Sequence, residues 1–134
     1  MKIVLDTNVL VSGLLKPESK PGKILDLVIE GSVKIAFDAR IINEYSDVLE
    51  RPEFDFDLFS VKFFISYIQL TGLFVTAEPL NLTLPDPDDA KFVEVACSAA
   101  ADFLITGNLR HYTREAKELV KIISPAEFMK HWIV

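Results

Sequence analysis

Three acidic side chains, Asp6, Glu44 and Asp89, occupy places where an ordinary surface acid is not expected. Asp6 ends the apolar run Ile3-Val4-Leu5, so a carboxylate follows directly on what reads as a buried strand, and a buried charge is costly unless paired. Glu44 lies on the flank of an apolar helical stripe, about 100° from its centre at Tyr45. Asp89 opens a helix that buries Phe92, Val93, Ala96, Ala99 and Ala100, and it falls within about 20° of the centre of that face. Asp88 reads as the N-cap of this helix with Asp89 turned inward, although the reverse division also fits. Carboxylates drawn together without basic partners repel, and the usual resolution is a hard divalent cation with oxygen ligands, Mg²⁺ or Mn²⁺. A cation held in this way polarises phosphoryl oxygens, activates water and neutralises a leaving oxygen. Metal-assisted phosphodiester hydrolysis is the reaction this chemistry favours.

The other reactive side chains point elsewhere. His111 and His131 are the only histidines and, with the single Cys97, show no zinc-ligand spacing. Both histidines read as surface or packing residues, with substrate contact as the alternative for His111, and Cys97 reads as a small packed residue. A Gly-rich phosphate loop of the Walker type is absent, so nucleoside triphosphate hydrolysis is not expected.

The elements that must carry the acids follow from hydrophobic periodicity. Short apolar runs at 2–5, 33–37, 73–75, 103–106 and 121–123 read as strands. Helical patterns cover 9–15, 22–30, 39–50, 57–70, 88–100 and 125–132, with Gly31 and Pro52 as stops. Strands alternating with helices predict an α/β fold whose parallel sheet is covered on both faces. In such sheets sites form beyond the carboxyl ends of the strands. Asp6, Asp38 and Asn108 follow strands and belong to that edge, whereas Asp102 precedes one and belongs to the other. Asp6, Glu44 and Asp89 can therefore converge on one edge, with Asn108 nearby and Asp38 as a further candidate; the alternatives are an ordinary boundary glutamate for Glu44 and helix capping for Asp89.

The bulk numbers agree with this reading. The 134 residues suit one compact domain, and with half of them hydrophobic and a quarter charged the composition is globular. A net charge of −6 argues against binding nucleic acid through a broad basic surface, yet leaves room for a local metal site that bridges to phosphate. A single cysteine cannot form an internal disulfide, which fits a reducing, cytoplasmic compartment. Neither a membrane span nor a signal-peptide pattern is seen, so no membrane association is expected.

Several stretches resemble the PIN domain family. "IVLDTNVLVSGLL" (3–15) is similar to its opening, "DARIINEYSDVLERPEF" (38–54) to its second block and "LPDPDDAKFVEVACSAAADFLITGNLRHY" (84–112) to its third. "ISPAEFM" (123–129) resembles the end of a VapC-like bacterial and archaeal subgroup, the toxin components of toxin–antitoxin pairs. The resemblance covers essentially the whole chain as one PIN-like domain, 1–134. It implies a three-layer α/β/α sandwich with a mostly parallel sheet, and a Mg²⁺- or Mn²⁺-dependent endoribonuclease acting on single-stranded RNA. The family's acids map onto Asp6, Glu44 and Asp89 as catalytic metal ligands. Asn108 stands where many relatives carry a fourth aspartate, which weakens a second metal position. Thr7, Asn8, Ser12 and Thr106 match small polar positions that support the first acid or touch phosphate. Strand-end hydrogen bonding is the simpler role, favoured for Ser12 and left open for Asn8 and Thr106. An antitoxin protein and a second copy of the chain are the implied partners. The Phe-rich helix 57–70, with Phe59, Phe63 and Phe64, reads as core, with a dimer or antitoxin surface as the alternative.

Two rival functions remain. "LDTNV" resembles the DxDx[TV] motif of haloacid-dehalogenase-type phosphatases, but Asn8 replaces the general acid. The second is a PIN-like module that binds RNA or a partner with little cleavage, which the neutral Asn108 and the acidic balance support.

Overall fold

The structure, a computed structural model, describes residues 1–133, so Val134 of the expected 1–134 domain lies outside it. Its strands are β1 (Lys2–Leu5), β2 (Lys34–Phe37), β3 (Leu73–Phe74), β4 (Phe103–Ile105) and β5 (Ile122–Ile123). The helices are α1 (Thr7–Leu15), α2 (Lys20–Ile29), α3 (Ala39–Leu49), α4 (Leu58–Thr71), α5 (Ala90–Ser98), α6 (Arg114–Leu119) and α7 (Pro125–Ile133). Every strand pair is parallel, in the order β3-β2-β1-β4-β5. Helices flank the sheet in a three-layer α/β/α sandwich, as the strand–helix alternation requires.

The strand order places the site. From β1 the chain steps outward through β2 to β3, then returns to the other side of β1 with β4 and continues to β5. The loops after β1 and β4 therefore leave in opposite directions and open a crevice at the carboxyl edge. The register pairs Leu5 with Ile105, so the residues that follow, Asp6 and Thr106, emerge side by side. Ile3, Val4, Leu5, Leu104 and Ile105 are wholly buried at the centre of the sheet. The edge strands β3 and β5 have two residues each, a length that limits unwanted pairing with other chains.

Local chemistry explains where elements begin and end. Helix α1 starts at Thr7, two residues ahead of the expected 9, so Thr7 and Asn8 belong to a helix and not to a strand end. Ser12, expected in strand-end bonding, also lies in α1, where its carbonyl accepts from Lys16 N. Helix α2 begins at Lys20 because the Ser19 hydroxyl caps Gly22 N and Pro21 suits a first turn. It stops at Gly31, whose φ of +83° an L side chain rarely adopts. At Gly72 a Cβ would lie 2.4 Å from the Ile35 carbonyl oxygen, so only glycine lets α4 run straight into β3 beside β2. The expected helix 88–100 divides into a 3-10 turn, Pro87–Asp89, and α5, and its cap is Asp86 instead of Asp88. The Asp86 carboxylate accepts from Asp88 N at 3.0 Å, and the Asp88 side chain is left exposed.

The Phe-rich helix departs from the core reading. The buried stripe of α4 is Val61, Phe64, Ile65 and Ile68. Phe59 and Phe63 fall off that stripe and are 80% and 68% exposed, so Phe64 alone of the three is core.

Helix α7 closes the far side of the core. Phe128 is fully buried and meets Phe103 of β4 edge-on, with ring centroids 5.7 Å apart. Truncating a buried phenylalanine costs about 3–5 kcal/mol. Phe128→Ala is therefore expected to lower the urea midpoint of the whole chain by that equivalent. A midpoint within experimental error of the parent would show that α7 is not part of the cooperative core.

Candidate active site

Asp6 is the most constrained acid of the carboxyl edge. Its backbone N–H bonds the Ile105 carbonyl at 3.0 Å, extending the β1–β4 ladder by one step. The side chain is buried, and its Oδ2 accepts from the hydroxyls of Thr106 at 2.9 Å and Tyr112 at 2.8 Å. The carboxylate also sits at the start of α1, where the helix dipole favours an anion. Burial raises the Asp6 pKa, the Tyr112 and Thr106 hydroxyls pull it back, and the nearby charge of Glu44 adds to the rise.

Thr106 and Asn8 stitch the two loops of the crevice together. Besides donating to Asp6, Thr106 Oγ1 accepts from Asn108 N at 3.0 Å. Asn8 Oδ1 accepts from Gly107 N at 3.0 Å. An asparagine whose side chain is spent in this way is poorly placed to serve as the general acid of a phosphatase.

Glu44 reaches the same edge from α3. The helix is anchored by the buried Tyr45, whose hydroxyl donates to the Leu5 carbonyl at 2.5 Å. Glu44 Oε2 accepts from the Thr7 hydroxyl, and Oε1 pairs with Lys91 Nζ at 2.6 Å. Asp89 arrives from the 3-10 turn ahead of α5 and is buried, so the inward acid is Asp89. Its Oδ2 lies 3.2 Å from His111 Nδ1, and His111 Nε2 lies 3.0 Å from Asn108 Nδ2. The imidazole of His111 bridges Asp89 to Asn108, with the donor and acceptor roles of its two nitrogens set by its tautomer. The neutral Asn108 thus acts through His111 and not beside the acids as a fourth carboxylate would.

Asp38 lies at the expected edge but has other work. It caps α3 through Ile41 N at 3.0 Å and pairs with Arg40 at 2.8 Å. Arg40 in turn holds the buried Glu94 at 2.8 Å, and Glu94 accepts from Leu80 N. Asp102 stands at the opposite edge, as expected, accepting from Lys2 N. The structure therefore brings Asp6, Glu44, Asp89 and Asn108 to one edge with Thr7, Asn8 and Thr106, and assigns Asp38 to a structural ion-pair network.

Sequence reasoning missed Tyr112, Lys91 and the bridging geometry of His111. Tyr112 and His111 lie in "GNLRHYTRE" (107–115), which reads as a loop and short helix and gives Tyr112 no role. Lys91 stands two residues beyond Asp89, where a helical count alone gives it no partner.

The donor set, three carboxylates and no thiolate, suits a hard divalent cation. The arrangement does not hold one as it stands. Among the described residues no three His, Cys, Asp or Glu side chains are grouped to hold an ion. Each carboxylate instead has protein donors of its own: two hydroxyls at Asp6, a hydroxyl and an ammonium at Glu44, an imidazole at Asp89.

Burial, then the charges of Asp6 and Asp86, push the Asp89 carboxyl up to about 6, against the pull of His111. The folded chain thus holds this proton more tightly than the unfolded one. The resulting stability is present in full below about pH 4 and is lost as pH rises through about 6. Between those values the parent should lose stability relative to Asp89→Asn. Urea denaturation of both across pH 4 to 7 measures this, and parallel profiles would refute it.

Comparison with known proteins places this geometry. The chain is 29% identical to an uncharacterized protein of Methanocaldococcus jannaschii, over 98% of its own length and 92% of that relative's. No solved structure matches it. The family model for the PIN domain matches residues 2–110, which include Asp6, Glu44, Asp89 and Asn108. The chain belongs to the PIN domain family, whose members are generally nucleases.

Proposed function

We propose that this chain is a Mg²⁺- or Mn²⁺-dependent endoribonuclease that hydrolyses phosphodiester bonds of single-stranded RNA, built as one PIN-like domain over residues 1–134. The observation that carries the reading is the meeting of Asp6, Glu44 and Asp89 at the crevice between β1 and β4, close enough that Asp6 feels the charge of Glu44 and Asp89 that of Asp6. In this reading those three acids are the metal ligands. Asn108 positions Asp89 through His111, and Thr7, Asn8 and Thr106 support the cluster. PIN domain nucleases usually use divalent metals, which agrees with the oxygen-only donor set. With no broad basic surface in a chain of net charge −6, substrate would be held mainly at the site itself.

A second reading is a PIN-like module that binds RNA or a partner with little cleavage. It is favoured by Lys91 on Glu44 and by the neutral Asn108. Cleavage of labelled single-stranded RNA with Mn²⁺ separates the two. The nuclease reading expects cutting by the parent and at least a hundredfold loss in both Asp6→Asn and Asp89→Asn. No cleavage at any Mn²⁺ concentration would leave the binding module, and equal cutting by all three proteins would remove the assignment of cleavage to these acids.

The biological setting is part of the proposal: a cytoplasmic toxin whose activity is restrained by an antitoxin protein. A short neighbouring reading frame with a DNA-binding amino terminus would support this role. We assign the outer face of α4 to a second copy of the chain. Phe59, Phe63 and Leu70 are exposed at spacings of four and seven residues along that helix, a pattern suited to a helix–helix seam. Light scattering at micromolar concentration should then find a dimer for the parent and a monomer for Phe63→Glu. A monomeric parent would remove the assignment.

A further inference from the structure

Lys91 is out of place by the ordinary rules of helices. It is the second residue of α5, in the first turn, where the dipole disfavours a cation. The sequence supplies no acid in that turn of α5 to offset it. The side chain is nevertheless folded inward, with only 11% of its surface exposed, and its ammonium is held by Glu44 Oε1 at 2.6 Å and the Asp88 carbonyl at 2.6 Å. Helix α3 carries Glu44, and the turn leading into α5 carries Asp89. The ammonium thus spans the two elements that an ion shared by Glu44 and Asp89 would have to join.

We propose that Lys91 is the resident counter-ion of Glu44 and competes with a divalent cation for that carboxylate, so that the acid cluster takes up metal only when the ammonium is displaced. This rests on the metal-dependent reading above and explains why the acids, as they stand, do not form an ion cradle. The second Glu44 oxygen is held by Thr7, so the oxygen Lys91 holds is the one to be exchanged. Lysine suits such an exchange. Its charge is compact and its four-carbon stem flexible, unlike a fixed guanidinium fork. A cleft of about 330 Å³ lined by Lys91, Arg40, Pro87, Asp88, Ala90 and Glu94 adjoins the ion pair and offers the displaced side chain room.

The test is a Mn²⁺ titration of the full chain at pH 7.5 without nucleic acid, read by the electron paramagnetic resonance signal of the free ion. Lys91→Met should bind Mn²⁺ at least tenfold more tightly than the parent, and Lys91→Arg, whose guanidinium is harder to displace, should bind it no more tightly than the parent. Adding Glu44→Gln to Lys91→Met should abolish the gain. Arg110→Met removes an exposed cation from the turn after β4 without touching Glu44, and should change the affinity less than threefold. Circular dichroism checks that each variant is folded, and Lys91→Gln carries the same expectation should Lys91→Met unfold. Equal or weaker Mn²⁺ binding by Lys91→Met overturns the proposal. An equal gain in Arg110→Met overturns it too, because net charge alone would then explain the effect. If the parent binds Mn²⁺ through Asp6 and Asp89 but ignores Lys91, this inference falls and the metal-dependent reading stands. If no variant binds Mn²⁺ at all, both fall.

Discussion

The carboxyl edge is organised by one buried interaction, the Asp6 carboxylate held by the hydroxyls of Thr106 and Tyr112. An unpaired carboxylate in that position would oppose folding, because burial removes its water. Two hydroxyl bonds answer part of that cost without adding an opposite charge, and burial still raises the Asp6 pKa. Its partners come from far along the chain, and the pairing of β1 with β4 is what brings them within reach. The same pairing sets Thr106 and Asn8 to fasten the two loops to each other. The loop after β4 places His111 against Asp89 and Asn108 against His111.

Around this centre the acids are kept apart in their duties. Asp38 and Glu94 are satisfied by Arg40 and serve the fold, tying α3, α5 and the segment near Leu80 together. Glu44 and Asp89 have partners of another kind, an ammonium on a four-carbon stem and a partly exposed imidazole. A structural carboxylate is best served by a guanidinium in a fixed fork, whereas a carboxylate that must exchange partners is best served by one that can leave. The division between Arg40 on one side and Lys91 and His111 on the other follows that logic. Among the described residues no buried side-chain polar atom lacks a partner. The buried polar atoms of the edge are therefore satisfied in the form seen, and an occupant that takes the Glu44 oxygen facing Lys91 has to replace a bond that already exists.

Much of the fold was legible in local pattern. The alternation of short apolar runs with helical stripes is decided by nearest neighbours, and it located all five strands and the principal helices to within a few residues. The misplacements have local causes that periodicity does not register. Ser19 and Pro21 started α2 early, and Pro87 turned the head of α5 into a 3-10 turn capped by Asp86. Phe59 and Phe63 misled because phenylalanine is usually buried, while on α4 the stripe through Val61, Phe64, Ile65 and Ile68 had already met the core's demand. Asp38 met the positional test for a site acid and still proved structural. Position says which edge an acid reaches and nothing about which cation reaches it first.

The sequence by itself determined the alternating architecture and the edge that Asp6, Glu44 and Asp89 can reach, and it left open whether Asp88 or Asp89 turns inward. The architecture and the edge follow from the handedness and period of the backbone, which are properties of adjacent residues. Tertiary structure alone decided the strand order that opens the crevice between β1 and β4, and with it the partners of Asp6, Glu44 and Asp89. Tyr112 is 106 residues from Asp6, and Lys91 reaches Glu44 across two elements. Such contacts depend on how helices and strands pack, and a helical or strand period carries no information about what lies on the far side of the gap it faces.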